Sequence, residues 1–242
     1  MKLGKLYGIG VGPGDPELIT VKGARLLGQC RHVFVPKART AADSQALSIA
    51  GDLLNSHSQV HELVFPMSSD QEELSQRWMA SAGEIITVLK GGEDACFLTL
   101  GDPLLYSTYI YLLRAVRAQL PKASVVTVPG ITAFSAAAAL TEFPVGEGKE
   151  PVTIIPTADD LENVRQALGA EGTVILMKIG RRLREILNLL EEAGMTERSV
   201  FVSHAGMDNQ RVETDLRRLR EEGSDAGYLS IILVHAGGGK RG

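Results

Sequence analysis

Short apolar runs alternate with longer amphipathic segments along most of this 242-residue chain, and that alternation narrows the folds open to it. Leu3–Val11 reads as a buried strand running into glycine and proline. Glu17–Gln29 then reads as a helix, with Leu18, Val21, Ala24 and Leu27 on one side. Further strands are expected at His32–Pro36, Gln59–Leu63, Ala95–Leu100 and Ser124–Val128. Helices are expected between them at Asp43–Asn55, Asp70–Leu89 and Leu105–Gln119. Such β-α alternation predicts an α/β fold with a mainly parallel sheet covered on both faces.

The pattern breaks at Glu142–Pro151, where prolines, glycines and charges suit neither helix nor strand. A domain boundary is expected here, giving an N-terminal α/β domain over 1–145 and a C-terminal one over 146–242. Beyond the break, strands are expected at Val152–Pro156, Thr173–Lys178, Ser199–His204 and Leu229–His235. Helices are expected at Leu161–Leu168, Arg182–Ala193 and Asp215–Glu222, the last with a solvated, mixed-charge face. The Gly237–Gly242 tail is expected to be mobile.

Charge and composition exclude several roles. The formal net charge is −4, without the basic excess that phosphate-binding surfaces carry, so no nucleic-acid partner is expected. No apolar stretch reaches the ~18 residues of a membrane span, and no signal core follows the basic start. A soluble, cytoplasmic protein is expected. Cys30 and Cys96 sit in apolar settings without metal-type spacing and read as buried free thiols. His32, His57, His61, His204 and His235 are scattered, so no metal site is expected.

Three strand-to-helix turns carry the candidate chemistry. The first is Gly8-Ile9-Gly10-Val11-Gly12-Pro13-Gly14-Asp15-Pro16. It is not a dinucleotide fingerprint, because counting from Gly8 or from Gly10 puts Pro13 or Asp15 where the last glycine belongs. No Gly-Lys-Ser/Thr follows, so it is not a phosphate loop either. The second turn, Phe97 to Thr108, contains Gly101-Asp102-Pro103; Asp102 reads equally as a ligand acceptor or a helix cap. The third is Val128-Pro129-Gly130-Ile131-Thr132-Ala133, whose small residues suit tight helix packing or a flat ligand. In an open α/β sheet, ligands bind beyond the carboxyl ends of the strands, where all three turns fall.

Together these turns resemble the successive motifs of the tetrapyrrole methylase family. Gly8 to Thr20 is similar to its N-terminal signature, Leu100-Gly101-Asp102-Pro103 to its second motif, and Val128 to Ala133 to its third. Ile175-Leu176-Met177-Lys178 is similar to a later apolar-Met strand end, so the resemblance covers roughly residues 3 to 235. Val35-Pro36-Lys37, Phe65-Pro66-Met67, Phe97 to Tyr111 and Gly227 to Ile232 look like the branch that methylates C(20). In the branch acting on uroporphyrinogen, Gly-Gly-Asp-Pro-Phe is followed by Gly-Arg; here Leu100 replaces the first glycine, and Ser107 and Thr108 stand at the Gly-Arg.

The resemblance implies two α/β domains with a ligand cleft between them. It implies S-adenosyl-L-methionine as methyl donor, and precorrin-2 or cobalt-factor II as the tetrapyrrole substrate, in corrinoid synthesis. A homodimer is also implied. By motif position the cofactor contacts fall on Gly101, Asp102, Leu105, Thr132, Ala133, Met177, Ala205, Leu229 and Ser230. The glycine loop, with Gly12 and Pro13, would face the substrate, and Asp15, Tyr106 and Tyr111 are the candidates for removing a proton. Substrate carboxylates call for cations such as Lys37, Arg39, Lys178, Arg181 and Arg182. Holding donor and carbon nucleophile in line supplies ~7–11 kcal/mol of such a barrier. Rival readings are a uroporphyrinogen-III C-methyltransferase, a diphthine synthase, and a non-enzymatic nucleotide- or tetrapyrrole-binding module.

Overall fold

The computed structural model describes residues 2–38, 44–65, 70–157, 161–220 and 224–237. Two compact units emerge, the first ending at Thr132 and the second starting at Ala133. The division precedes the Pro/Gly break at which a boundary was expected. The small-residue helix Ala133–Thr141 (α5) packs on strands of the second sheet, so it belongs to the second unit.

The first unit is one five-stranded sheet of β1 (Lys5–Gly10), β2 (His32–Ala38), β3 (Gln59–Phe65), β4 (Ala95–Thr99) and β5 (Ser124–Val128). The spatial order is β3-β2-β4-β1-β5 and every pairing is parallel, as the alternation predicts. Every residue of β4, at the centre, is buried, as helices on both faces require.

Helices connect these strands. Expected helix Glu17–Gln29 is broken: Pro16–Leu18 forms a 3-10 turn, and α1 is Val21–Leu27, capped by Thr20, whose hydroxyl accepts the Gly23 N–H. Helix α2 is Gln45–Ala50. Helix α3, Gln71–Lys90, starts at Asp70, whose carboxylate accepts the Glu72 and Glu73 N–H groups. Its Ala82, Ile85, Ile86 and Leu89 are buried against β4 and α4. Helix α4 is Tyr109–Gln119, and its first residue, Tyr109, is fully buried. That ring fits only because residue 8 is glycine: a Cβ there would sit 2.1 Å from Tyr109 Cζ.

The second unit holds β6 (Val152–Pro156), β7 (Thr173–Met177), β8 (Ser199–Ser203), β9 (Arg211–Glu213) and β10 (Ser230–His235). Their order is β6-β7-β10-β8-β9. Only β6 and β7 pair in parallel; β10 runs antiparallel to β7 and β8, and β9 antiparallel to β8. Helices α6 (Leu161–Leu168) and α7 (Leu183–Glu192) bury Val164, Leu168, Ile186 and Leu190 against this sheet. Of the helix expected at Asp215–Glu222, the described part is a short 3-10 turn, Leu216–Leu219. Asp215 starts that turn by accepting the Arg217 N–H, and Leu216 and Leu219 are its buried anchors. No described helix is long and apolar enough to cross a membrane.

Candidate functional site

The three glycine turns of the first unit meet at the carboxyl edge of its sheet. Val11 N–H donates to Thr99 O at 2.9 Å, prolonging the β1–β4 pairing past the strand ends. Gly12 and Gly101 then form a two-bond bridge, at 3.4 Å and 2.8 Å. Both have left-handed backbone, φ 79° and 66°, which glycine adopts without penalty. The third turn enters through Asp102. Its Oδ2 accepts the Gly130 N–H at 3.1 Å and its Oδ1 the Leu104 N–H at 2.8 Å. A Cβ on Gly130 would lie 2.1 Å from Gly101 O, and one on Gly10 2.5 Å from that same oxygen. These glycines therefore serve the contact of loop with loop. Gly101 differs: a Cβ there would meet nothing within 4 Å, so its backbone faces open space. Leu104, Tyr106 and Ile131 are exposed apolar residues on these turns.

The candidate proton acceptors lie on different elements. Asp15 Oδ1 accepts the Glu17 N–H at 2.8 Å and caps the Pro16–Leu18 turn. Tyr106 lies on the second turn, 39% exposed, with φ 51°. The chain is held in that conformation from behind. Buried Ser107 bonds the Thr99 hydroxyl at 2.8 Å and accepts the Tyr109 N–H at 3.1 Å. Tyr109 OH meets Thr127 Oγ1 at 3.0 Å, and burial pushes its phenol above the usual range. Tyr111 turns onto α3, where its ring stacks on Trp78 at 5.4 Å beside Arg114. With Met79 and Ala118 it lines a groove of about 460 Å³ between α3 and α4.

Of the substrate candidates in this unit, Gly12 and Pro13 are buried within the glycine turn. Lys37 Nζ pairs with Glu62 at 2.9 Å across β2 and β3. Arg39, Pro66 and Met67 lie outside the described residues. Leu105, Thr132 and Ala133 are half-buried on or just after the second and third turns.

In the second unit, Met177, Ala205, Leu229 and Ser230 gather on one edge of the sheet. Strands β7 and β8 end there and β10 begins there. Ile231 stands opposite Met177, and Ser230 opposite Ser203. His204 N–H donates to Leu229 O at 3.0 Å. Ser230 Oγ donates to Gly227 O at 2.7 Å, and a Cβ on Gly227 would sit 1.9 Å from Gly180 O. Lys178 continues from β7 into the 3-10 turn Gly180–Arg182. Arg181 is exposed there, and Arg182 pairs with Glu185 at 3.3 Å.

Comparison with known proteins fits this arrangement. The sequence profile of the tetrapyrrole (corrin/porphyrin) methylases matches residues 5–220. The chain belongs to the tetrapyrrole methylase family. It is 34% identical to the cobalt-precorrin-2 C(20)-methyltransferase of Salmonella typhimurium, over 96% of each chain. It is 31% identical to the precorrin-2 C(20)-methyltransferase of a Sinorhizobium species, over 96% of this chain and 95% of that one. In structure it resembles the uroporphyrin-III C-methyltransferase of Thermus thermophilus complexed with S-adenyl homocysteine. That match has a TM-score of 0.61 and 20% identity over 96% of this chain and 97% of the other, a likeness of fold.

Two features of this methylase escaped the sequence reading. Among the described residues, five non-glycines have left-handed backbone: Tyr106, Glu142, Lys178, His204 and Leu229. Glu142 simply ends α5, with Phe143 N–H donating back to Ala138 O. The other four sit at the two sheet edges just described; each costs about 1–3 kcal/mol and persists only because its surroundings hold it. Such strain collects at functional sites. The second feature is a pairing of histidines read as scattered. His32 Nδ1 and His61 Nε2 are 3.0 Å apart, and His32 Nε2 reaches Glu93 at 3.2 Å. The β2–β3 register, which no local motif encodes, brings them together. Burial, then the neighbouring His32, hold the His61 imidazole below its ordinary value. No described group of acids, histidines and cysteines forms a metal-binding cluster, and Cys30 and Cys96 are free and buried.

Proposed function

We propose that this methylase transfers a methyl group from S-adenosyl-L-methionine to C(20) of precorrin-2 or its cobalt-bearing form, in corrinoid synthesis. One observation carries the reading: full-length likeness, at 34% and 31% identity, to two C(20)-methyltransferases, one named for the cobalt form and one for the metal-free form. The complex of the Thermus thermophilus relative with S-adenyl homocysteine supports the donor. The geometry is compatible with it. Gly101 offers backbone beside open space, and the second unit presents Met177, Ala205, Leu229 and Ser230 on one edge. By motif position, Gly101, Asp102, Leu105, Thr132 and Ala133 are further candidates for donor contacts.

When bound, the donor supplies a methyl group already electrophilic on its sulfonium. The chain's part is to hold the substrate carbon in line with it, which requires rigid loops. The Gly12–Gly101 bridge and the Asp102–Gly130 bond give that rigidity. Asp15 and Tyr106 are the residues to take up the C(20) proton. Asp15 keeps acceptor capacity beyond its one capping bond, and Tyr106 is exposed on the second turn. Tyr111, stacked on Trp78, is the weaker candidate. For the substrate carboxylates, Lys178 and Arg181 stand beside the Met177 strand end, while Lys37 and Arg182 would exchange Glu62 and Glu185 for them. A cytoplasmic homodimer completes the reading, and light scattering tests the dimer.

The deciding assay incubates the purified protein with the donor and either precorrin-2 or cobalt-factor II. A product one methyl group heavier, with S-adenosylhomocysteine released in equal amount, is expected. Methylation of uroporphyrinogen III instead would replace this reading with the first rival. No donor binding by calorimetry would favour the non-enzymatic one.

A further inference from the structure

We infer that His204 and Tyr228 form an aromatic corner against which the adenine ring of the methyl donor stacks. This rests on the proposed donor. The corner is built by strained backbone. His204 and Leu229 both have left-handed φ, 51° and 46°, and each holds the other through the His204 N–H to Leu229 O bond of 3.0 Å. That clasp brings the rings of His204 and Tyr228 to 5.9 Å, with their planes at 56°. Tyr228 remains 56% exposed. Ala205, Leu229 and Ser230 adjoin the rings in the chain, so the corner stands at the gathered edge of the second sheet.

Residue choice points the same way. Gly206, two positions after His204, also has left-handed backbone, φ 78°, and is a glycine. Glycine at position 204 would relieve the backbone at once. An imidazole is present instead, next to a second ring with more than half its surface uncovered. A flat, electron-poor heteroaromatic such as adenine suits a surface of that kind, because stacking needs only an open ring face.

The test is calorimetry with S-adenosylhomocysteine and with 5′-methylthioadenosine, which lacks the amino-acid tail, alongside thermal melts. His204→Gly and His204→Asn accept the left-handed backbone while deleting the ring, and Tyr228→Leu deletes the other ring. The expected result is about tenfold weaker binding of both ligands by each variant, the size of one base–aromatic contact. The melting temperature of His204→Gly should be unchanged or raised. Unaltered affinity in these variants, with normal binding by the wild type, overturns the corner and leaves the donor assignment standing. Loss for S-adenosylhomocysteine alone overturns it too, by moving the contact to the amino-acid end. A wild type that binds neither ligand overturns the donor assignment itself.

Discussion

Replacing Asp102 should separate its work in the fold from any contact with the donor. The carboxylate accepts two backbone N–H groups, from Leu104 at 2.8 Å and from Gly130 at 3.1 Å. Leu104 is exposed, so water can take over its N–H, and losing that bond costs about 0.5–1.5 kcal/mol. Gly130 is half-buried and pressed against Gly101 and Gly10, so its N–H has little room for a substitute. A bond to a charged acceptor there is worth about 1.5–3 kcal/mol. Asp102→Ala should therefore lose about 2–4.5 kcal/mol of stability in urea melts, with an unchanged denaturant slope. Asp102→Asn keeps one acceptor oxygen and turns an NH2 donor toward the other N–H, so its loss should fall between Ala and wild type. The same variants go into calorimetry with S-adenosylhomocysteine. A Kd that rises in Asn as well as Ala points to a donor contact beyond the fold. An Asp102→Ala protein as stable as wild type would refute the loop junction as described. An Asn variant as unstable as Ala would refute the division between the two bonds.

Gly130→Ala pushes a methyl against two backbones, 2.1 Å from Gly101 O and 2.9 Å from Gly10 C, and should cost about 1–3 kcal/mol in the same melts. Gly51→Ala, whose Cβ would meet nothing within 4 Å and whose φ of −55° is ordinary, is the control and should be neutral or slightly stabilising. Tyr106→Gly removes the ring at a left-handed position, φ 51°, and should lower the methylation rate; a faster enzyme would remove Tyr106 from the site. For His61 the pH dependence has a definite sign. Its folded-state value lies below the ordinary 6.5, so the unfolded chain takes up the proton first as pH falls. Its contribution is full above that value and declines below it. His61→Gln should flatten the slope of stability between neutral and mildly acid pH, and an unchanged slope would exonerate it.

What the sequence made legible was whatever is written locally. The apolar runs of β1, β4, β7, β8 and β10 appear within a few residues of their expected places, because burial on both faces leaves a compositional mark. The strand Arg211–Glu213 was missed: Arg-Val-Glu carries no apolar run and is recruited by pairing with β8. The start of α4 was placed too early because Leu105 and Tyr106 look helical, whereas the Ser107–Thr99 bond and the turn at Tyr106 delay the helix to Tyr109. Strand direction was illegible too. An isolated apolar run at 230–235 is silent on whether it runs with its neighbours or against them, and β10 runs against both. At the candidate site, the motifs marked three turns that the fold brings to one sheet edge, but not their purpose. Locally Asp102 reads equally as cap and ligand acceptor, and its bond to Gly130, 28 positions away, is a tertiary contact that nothing local could announce.

The glycines and the strained residues divide the work of the two edges. In the first unit Gly10 and Gly130 lack side chains because backbone must touch backbone, so they fix the position of the loops and can choose nothing about a ligand. On the function proposed above, selection would come from what these loops still display, namely the exposed Leu104, Tyr106 and Ile131. In the second unit the left-handed positions Lys178, His204 and Leu229 keep their side chains where glycine would cost less. On that proposal, rigidity and recognition sit on different residues. Removing a glycine should therefore reduce stability and rate together, whereas replacing a strained residue by glycine should raise stability as it lowers activity. A tight turn evolved only for compactness would show the first behaviour at every one of these positions and the second at none.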